Sequence, residues 1–184
     1  RTECSAGILG HMSIFLVGTG PDPEAFPGPF DAFAGEVRQR SGQGRASRIA
    51  VAVFGAGINL QDVAAAYTEP LQARIECETV VVPLVPGAPA DPAAFDGVDG
   101  VVVGGGLTPG YWEGLHPAAD AISKLVTGGV PYLGFSAGAM VAPDLALIGG
   151  YRINGVEVCG EECSEGLDSL ALREGLGLVP FTVD

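Results

Sequence analysis

Val130-Pro131-Tyr132-Leu133-Gly134-Phe135-Ser136-Ala137-Gly138-Ala139-Met140-Val141-Ala142 decides the fold of this chain. An apolar run leads into a serine flanked by small residues, and a helix-compatible run follows. Strand, sharp turn carrying Ser, then helix is the pattern of a nucleophile elbow. Gly134 and Gly138 carry no Cβ, so the chain can reverse tightly and lift the hydroxyl above a sheet. A helix starting just after Ser136 aims free N–H groups and a positive dipole end at the same spot. An incidental serine in a glycine-rich turn would have similar letters. The strand before and the helix after favour the elbow.

A second glycine cluster points the same way. Val101-Val102-Val103-Gly104-Gly105-Gly106 reads as a buried strand running into a bare-backbone loop. Glycines at a strand end let main-chain N–H groups approach a ligand closely. The N–H of Gly105 or Gly106, with that of Ala137, is expected to form a two-donor oxyanion hole. Taken alone, the cluster is equally a strand-to-helix joint.

Outward from these motifs, strands and helices alternate. Strands are expected at Ile14–Val17, Arg48–Phe54, Glu76–Val85, Gly100–Val103 and Val130–Leu133. Helices are expected over Phe30–Arg40, over Leu60–Arg74 with Pro70 breaking or kinking it, and within Pro109–Val126 ahead of Gly128-Gly129. Beyond Val141 the pattern weakens, with short strands expected at Leu145–Ile148, Tyr151–Val158 and Leu176–Val183. The strand runs are apolar without strict alternation, as in parallel strands covered on both faces. The expectation is an α/β, doubly wound, mostly parallel sheet with helices on both faces. Ligands sit beyond the carboxyl ends of such strands. Both Gly104–Gly106 and Ser136 fall on that edge.

At 184 residues, 47% hydrophobic and 17% charged, the chain fits one domain with a substantial core. The expected domain is 12–184. Arg1–His11 has no strand or helix period and is expected to be an expression scar or disordered leader. A net charge of −13 repels nucleic acid and anionic membranes, and neither is expected as a partner. No apolar run reaches the roughly 18 residues of a membrane span. Cys159 and Cys163 flank Gly160-Glu161-Glu162 without further ligands for a metal, so neither metal nor cofactor is expected. Free thiols in a cytoplasmic protein fit better than a local disulfide. Cys77 reads as a core thiol. Gly18-Thr19-Gly20 lacks the third glycine and the helix of a dinucleotide fingerprint.

Gly104-Gly105-Gly106-Leu107-Thr108 followed by Gly134-Phe135-Ser136-Ala137-Gly138-Ala139 resembles the dipeptidase E and cyanophycinase family of serine peptidases. Met12–Pro21 resembles that family's first strand and glycine turn, and Gly175–Asp184 resembles the strand leading to its catalytic His. The resemblance spans Met12 to Asp184. It implies a flavodoxin-like fold related to class I glutamine amidotransferases, and a Ser-His-acid mechanism. The chain also departs from the family. The family's strand ends Asp-x-His, whereas this chain stops at Asp184, two residues short of that His, and is expected to be truncated there. Leu107 stands where many relatives have Asn. Tyr151 stands where some place the triad acid.

The resemblance implies peptide-bond hydrolysis through an acyl-enzyme on Ser136, with small, possibly aspartyl, peptides as substrates. The related amidotransferases carry Cys at the elbow, so Ser136 argues against a glutaminase. An esterase-like acyl hydrolase, or a non-catalytic binding module of the same fold, stays open. Monomer and homodimer are both compatible with the sequence. Thr108, Tyr111, Arg152 and Asp184 are expected substrate-binding residues, Arg152 because it suits a carboxylate. Tyr111 and Trp112 could equally cap the core. His116 reads as structural or exposed rather than as a base. The acidic run from Glu157 to Asp168 reads as a solvated face.

Overall fold

Ser47–Phe54 forms an interior strand of the sheet and shows how its two faces are built. Ile49, Val51 and Val53 point to one side, Ala50 and Ala52 to the other, and all five are fully buried. Side chains alternate along a strand, so a strand apolar on both faces must be covered twice. The structure is a computed structural model and describes residues 11–42, 45–55, 57 and 59–184. The expected leader therefore lies outside the described residues except for His11.

The elements are β1 (Ile14–Val17), α1 (Gly28–Ser41), β2 (Ser47–Phe54), α2 (Leu60–Gln72), β3 (Cys77–Leu84), β4 (Gly100–Val103), α3 (Thr108–Leu115), α4 (Ala119–Thr127), β5 (Tyr132–Phe135) and α5 (Ala137–Met140). After them come β6 (Leu145–Gly149), β7 (Arg152–Ile153), β8 (Val156–Glu157) and β9 (Ala171–Glu174). The main sheet has five strands in the order β1-β5-β4-β2-β3, all parallel. Phe30, Phe33 and Val37 of α1, with Tyr67 and Leu71 of α2, pack on one face with Val51, Val102, Leu133 and Phe135. Tyr111 and Leu115 of α3, with Ile122 and Val126 of α4, pack on the other with Ala50, Ala52, Val101 and Tyr132. This is the expected doubly wound α/β fold of the flavodoxin-like kind.

Local chemistry sets the element ends. Asn59 caps α2 by accepting from the Gln61 N–H at 3.1 Å. Pro70 sits inside α2, which ends at Gln72, within one turn. Pro83 is tolerated in β3 because β3 is an edge strand. The helix expected within 109–126 is two helices, separated by a tight turn at His116–Ala118. Pro117 there lacks the N–H that a continuous helix needs.

The C-terminal part differs most from the expectation. Leu176–Val183 is not a strand; its one bridge is Val179 with Pro143, and Pro180 interrupts any ladder. The strand in this region is instead β9, antiparallel to β6. Tyr151–Val158 contains a hairpin, β7 with β8, turning at Asn154-Gly155, both at positive φ (51° and 79°). Asn-Gly is the dipeptide that favours such a turn.

Candidate active site

β4 and β5 are neighbours, with Val103 opposite Gly134 in register, so the loops after them leave the sheet side by side. Ser136 is the first residue beyond β5. Its backbone takes φ 46°, ψ −111°, a conformation that L residues avoid and that is strained by on the order of 1–3 kcal/mol. Two contacts hold it there. The Ser136 N–H donates to Val17 O at 2.7 Å, continuing the β1 ladder, and Ser136 O accepts from the N–H groups of Ala139 and Met140. The hydroxyl makes no capping bond to α5.

The flanking glycines are required by close approach. A Cβ on Gly134 would stand 2.5 Å from Gly138 O, and a Cβ on Gly138 would stand 2.3 Å from Val103 O. Both are closer than any side chain allows. The Gly138 N–H donates to Gly104 O at 3.0 Å, joining the elbow to the glycine loop. A Cβ on Gly105 would lie 3.1 Å from the Ser136 Cβ. Gly105 and Ser136 are therefore in direct apposition at the carboxyl edge of the sheet.

The loop's amides are not equivalent. The Gly105 N–H donates to the Tyr67 hydroxyl at 2.8 Å, and the Gly105 carbonyl accepts from the Tyr111 hydroxyl at 3.0 Å. Gly105 is thus already occupied and does not match the expectation of a free oxyanion donor. Gly106 is exposed with φ 149°, and its N–H has no partner among the described residues. The Ala137 N–H likewise has none, as the first N–H of a helix does not. Neither N–H is therefore committed to another group among the described residues; Gly106 is exposed, whereas Ala137, next to Ser136 in the chain, is buried.

The remaining expected residues lie elsewhere or face inward. Thr108 is fully buried; its N–H donates to Glu165 Oε2 at 3.0 Å and its hydroxyl faces Met140 Sδ at 3.6 Å. Tyr111 is also fully buried, within the core beneath the loop. Neither side chain is exposed to a substrate. Arg152 pairs with Glu157 of the same hairpin and with Asp168 beyond it, and stacks on Tyr151, so its charge is already matched. Asp184 is exposed and forms no ion pair among the described residues. Cys159 is exposed; slight desolvation, with the neighbouring Cys163, Asp184 and Glu162, pushes its thiol up, so the thiolate is disfavoured.

No histidine hydrogen-bonds Ser136 among the described residues. His116 stacks on Trp112 at 5.1 Å between centroids, in a crevice shared with Glu174 and Leu176. His11 contacts the Ser13 hydroxyl at 3.1 Å. A cavity of about 490 Å³ opens between Pro21–Glu24 and α2, and Ser136 does not line it. Cys77, Cys159 and Cys163 are unpaired, no metal-binding cluster occurs among the described residues, and no described helix is long and apolar enough to cross a membrane. Sequence reasoning missed Tyr67. Its place in α2 reads as ordinary core periodicity, and only the fold brings its hydroxyl to the loop after β4.

No protein-family model matches the chain, and no curated protein sequence matches it. Solved structures do. One, a candidate peptidase E protein from Listeria monocytogenes EGD-e, superposes with a TM-score of 0.57 at 17% identity, covering 94% of this chain and 78% of that one. A peptidase from an acI-B1 actinobacterium gives the same TM-score, 0.57, and identity, 17%, covering 94% of this chain and 68% of that one. At such identity the likeness is one of fold, and the chain has the fold of these two peptidase structures.

Proposed function

We propose that this protein belongs with the peptidase E-like serine peptidases and cleaves small peptides, aspartyl peptides among them, through an acyl-enzyme on Ser136. The observation that carries the reading is the strained Ser136 at the carboxyl edge of the sheet, apposed to a glycine loop and followed at once by a helix. In this reading Ser136 Oγ attacks the scissile carbonyl carbon. The N–H groups of Gly106 and Ala137 receive the oxygen as it becomes negative, and the leaving amine departs protonated. Water then releases the acyl group. A base must take the hydroxyl proton, because a serine hydroxyl is a weak nucleophile without one.

The fold shared with two structures described as peptidases supports peptides rather than simple esters as the substrate class. The test is turnover of aspartyl dipeptides and aryl esters by the full-length protein and by Ser136→Ala. Dipeptide cleavage that Ser136→Ala reduces by at least about 10⁴-fold is expected. Ester cleavage without dipeptide cleavage would make the protein an acyl hydrolase of another kind.

A second reading, a binding module built on the same elbow, is favoured by one observation: among the described residues Ser136 has no imidazole partner. Peptide binding equal in wild type and Ser136→Ala, with no turnover in either, would select it.

A further inference from the structure

We infer that Tyr67 and Tyr111 are positioning residues that grip Gly105 from opposite faces of the sheet and so aim the Gly106 N–H at the acyl oxygen of a substrate on Ser136. The inference rests on the serine-hydrolase reading above and adds two residues that the sequence motifs do not contain.

The two rings come from different layers. Tyr67 is on α2 and Tyr111 on α3, helices that cover opposite faces of the sheet. Both reach past the end of β4 to the same residue, one accepting from its N–H and the other donating to its carbonyl. Gly104 makes room for them: a Cβ there would stand 2.8 Å from the Tyr111 hydroxyl and 3.0 Å from Tyr67 Cζ. A buried tyrosine needs a hydrogen-bond partner for its hydroxyl, and any carbonyl would serve. Here both hydroxyls go to the two polar groups of the one residue apposed to Ser136.

The consequence follows from peptide geometry. The Gly105 carbonyl and the Gly106 N–H belong to one planar trans unit and point in opposite directions. Tyr111 is fully buried, so it holds the carbonyl from the core side. The Gly106 N–H is thereby directed away from the Tyr111 side; Gly106 itself is exposed, and Ser136, apposed to Gly105, is half-buried. Glycine could otherwise adopt many orientations here, and Gly106 at φ 149° has few intrinsic constraints. A hydrogen bond accepted by the carbonyl also polarises the unit and makes its N–H a stronger donor. Burial pushes both phenols up, so the hydroxyls stay protonated at neutral pH.

The experiment combines turnover of an activated aryl ester and an aspartyl dipeptide with the amide nitrogen resonance of Gly106, in the full-length protein. Tyr111→Phe keeps the ring and removes the hydroxyl. It is expected to lower kcat about tenfold or more while KM stays within about twofold, and to move the Gly106 resonance. Fluorotyrosine at position 111 keeps a hydroxyl and makes it a stronger donor, so it should move that resonance in the opposite sense. It serves even if the Phe variant fails to fold. Tyr67→Phe is expected to lower kcat in the same way. A kcat unchanged by both Phe variants, or a Gly106 resonance that moves with no loss of kcat, would overturn the inference. Ser136→Ala, run alongside, separates the two ideas. If it retains turnover, the serine-hydrolase reading fails. If it is inactive while Tyr111→Phe behaves as wild type, only the positioning role fails.

Discussion

Gly138 donates its N–H to the carbonyl of Gly104 at 3.0 Å, and through this bond the turn that carries Ser136 is fastened to the loop facing it. The two motifs that stand out in the sequence, separated by some thirty residues, are one structural unit. Tyr132 adds a further tie, its buried hydroxyl donating to Gly138 O at 2.6 Å.

That closeness makes Gly138→Ala severe. The new methyl would stand 2.3 Å from Val103 O and 2.9 Å from Gly104 O, both backbone atoms that cannot rotate away. The expected loss is about 3 kcal/mol of stability, at the upper end for overpacking. Urea unfolding checks it. An unchanged midpoint would show that β4 and the elbow separate more easily than their contacts imply.

Ser136→Gly should act in the opposite direction. At φ 46°, ψ −111° the backbone suits glycine far better than serine. The expected outcome is a gain of about 1 kcal/mol in stability together with loss of any hydrolytic activity. Thermal unfolding of the variant beside wild type measures it. A destabilised variant would show that the serine side chain contributes contacts outweighing the backbone strain.

Acid stability should depend on Asp99. This buried carboxylate accepts a two-pronged pair from Arg45, at 2.7 and 2.6 Å, and the Arg48 N–H at 2.9 Å. Burial pushes the Asp99 carboxyl up, but the Arg45 guanidinium and the Arg48 N–H outweigh it, and its pKa lies below the usual value. A carboxyl depressed in the folded state stabilises fully above its unfolded pKa, about 3.9, and loses that contribution as pH falls through the folded value. Asp99→Asn should therefore cost about 1–2 kcal/mol at neutral pH. The gap to wild type should narrow below about pH 4. Urea midpoints across that range test the claim, and a gap independent of pH would refute it.

Much of this architecture was legible because parallel strands buried on both faces are written as apolar runs. Ile49–Phe54 and Val101–Val103 needed no tertiary information to place. The glycines around Ser136 were legible for a related reason: close backbone approach excludes every other residue. The roles of Tyr67, Tyr111 and Thr108 were not. A buried tyrosine on a helix has the same spacing whether its hydroxyl meets the glycine loop beside Ser136 or any other backbone group. Thr108 follows the glycine loop in sequence, yet the start of α3 turns its side chain into the core. Beyond Val141 the strands are short, two to five residues, and their pairing is set by turns such as Asn154-Gly155 rather than by hydrophobic pattern.

The central claim is that Ser136 is an activated nucleophile facing an oxyanion site, and covalent labelling tests it most directly. A fluorophosphonate reacts at phosphorus with an activated serine, loses fluoride, and leaves a phosphonyl oxygen in the position of the oxyanion. The full-length protein should be labelled at Ser136, as mapped by mass spectrometry of the peptide containing Gly134–Gly138, and Ser136→Ala should not be labelled. Labelling at another residue, equal labelling of Ser136→Ala, or no labelling of the folded wild type would contradict the account.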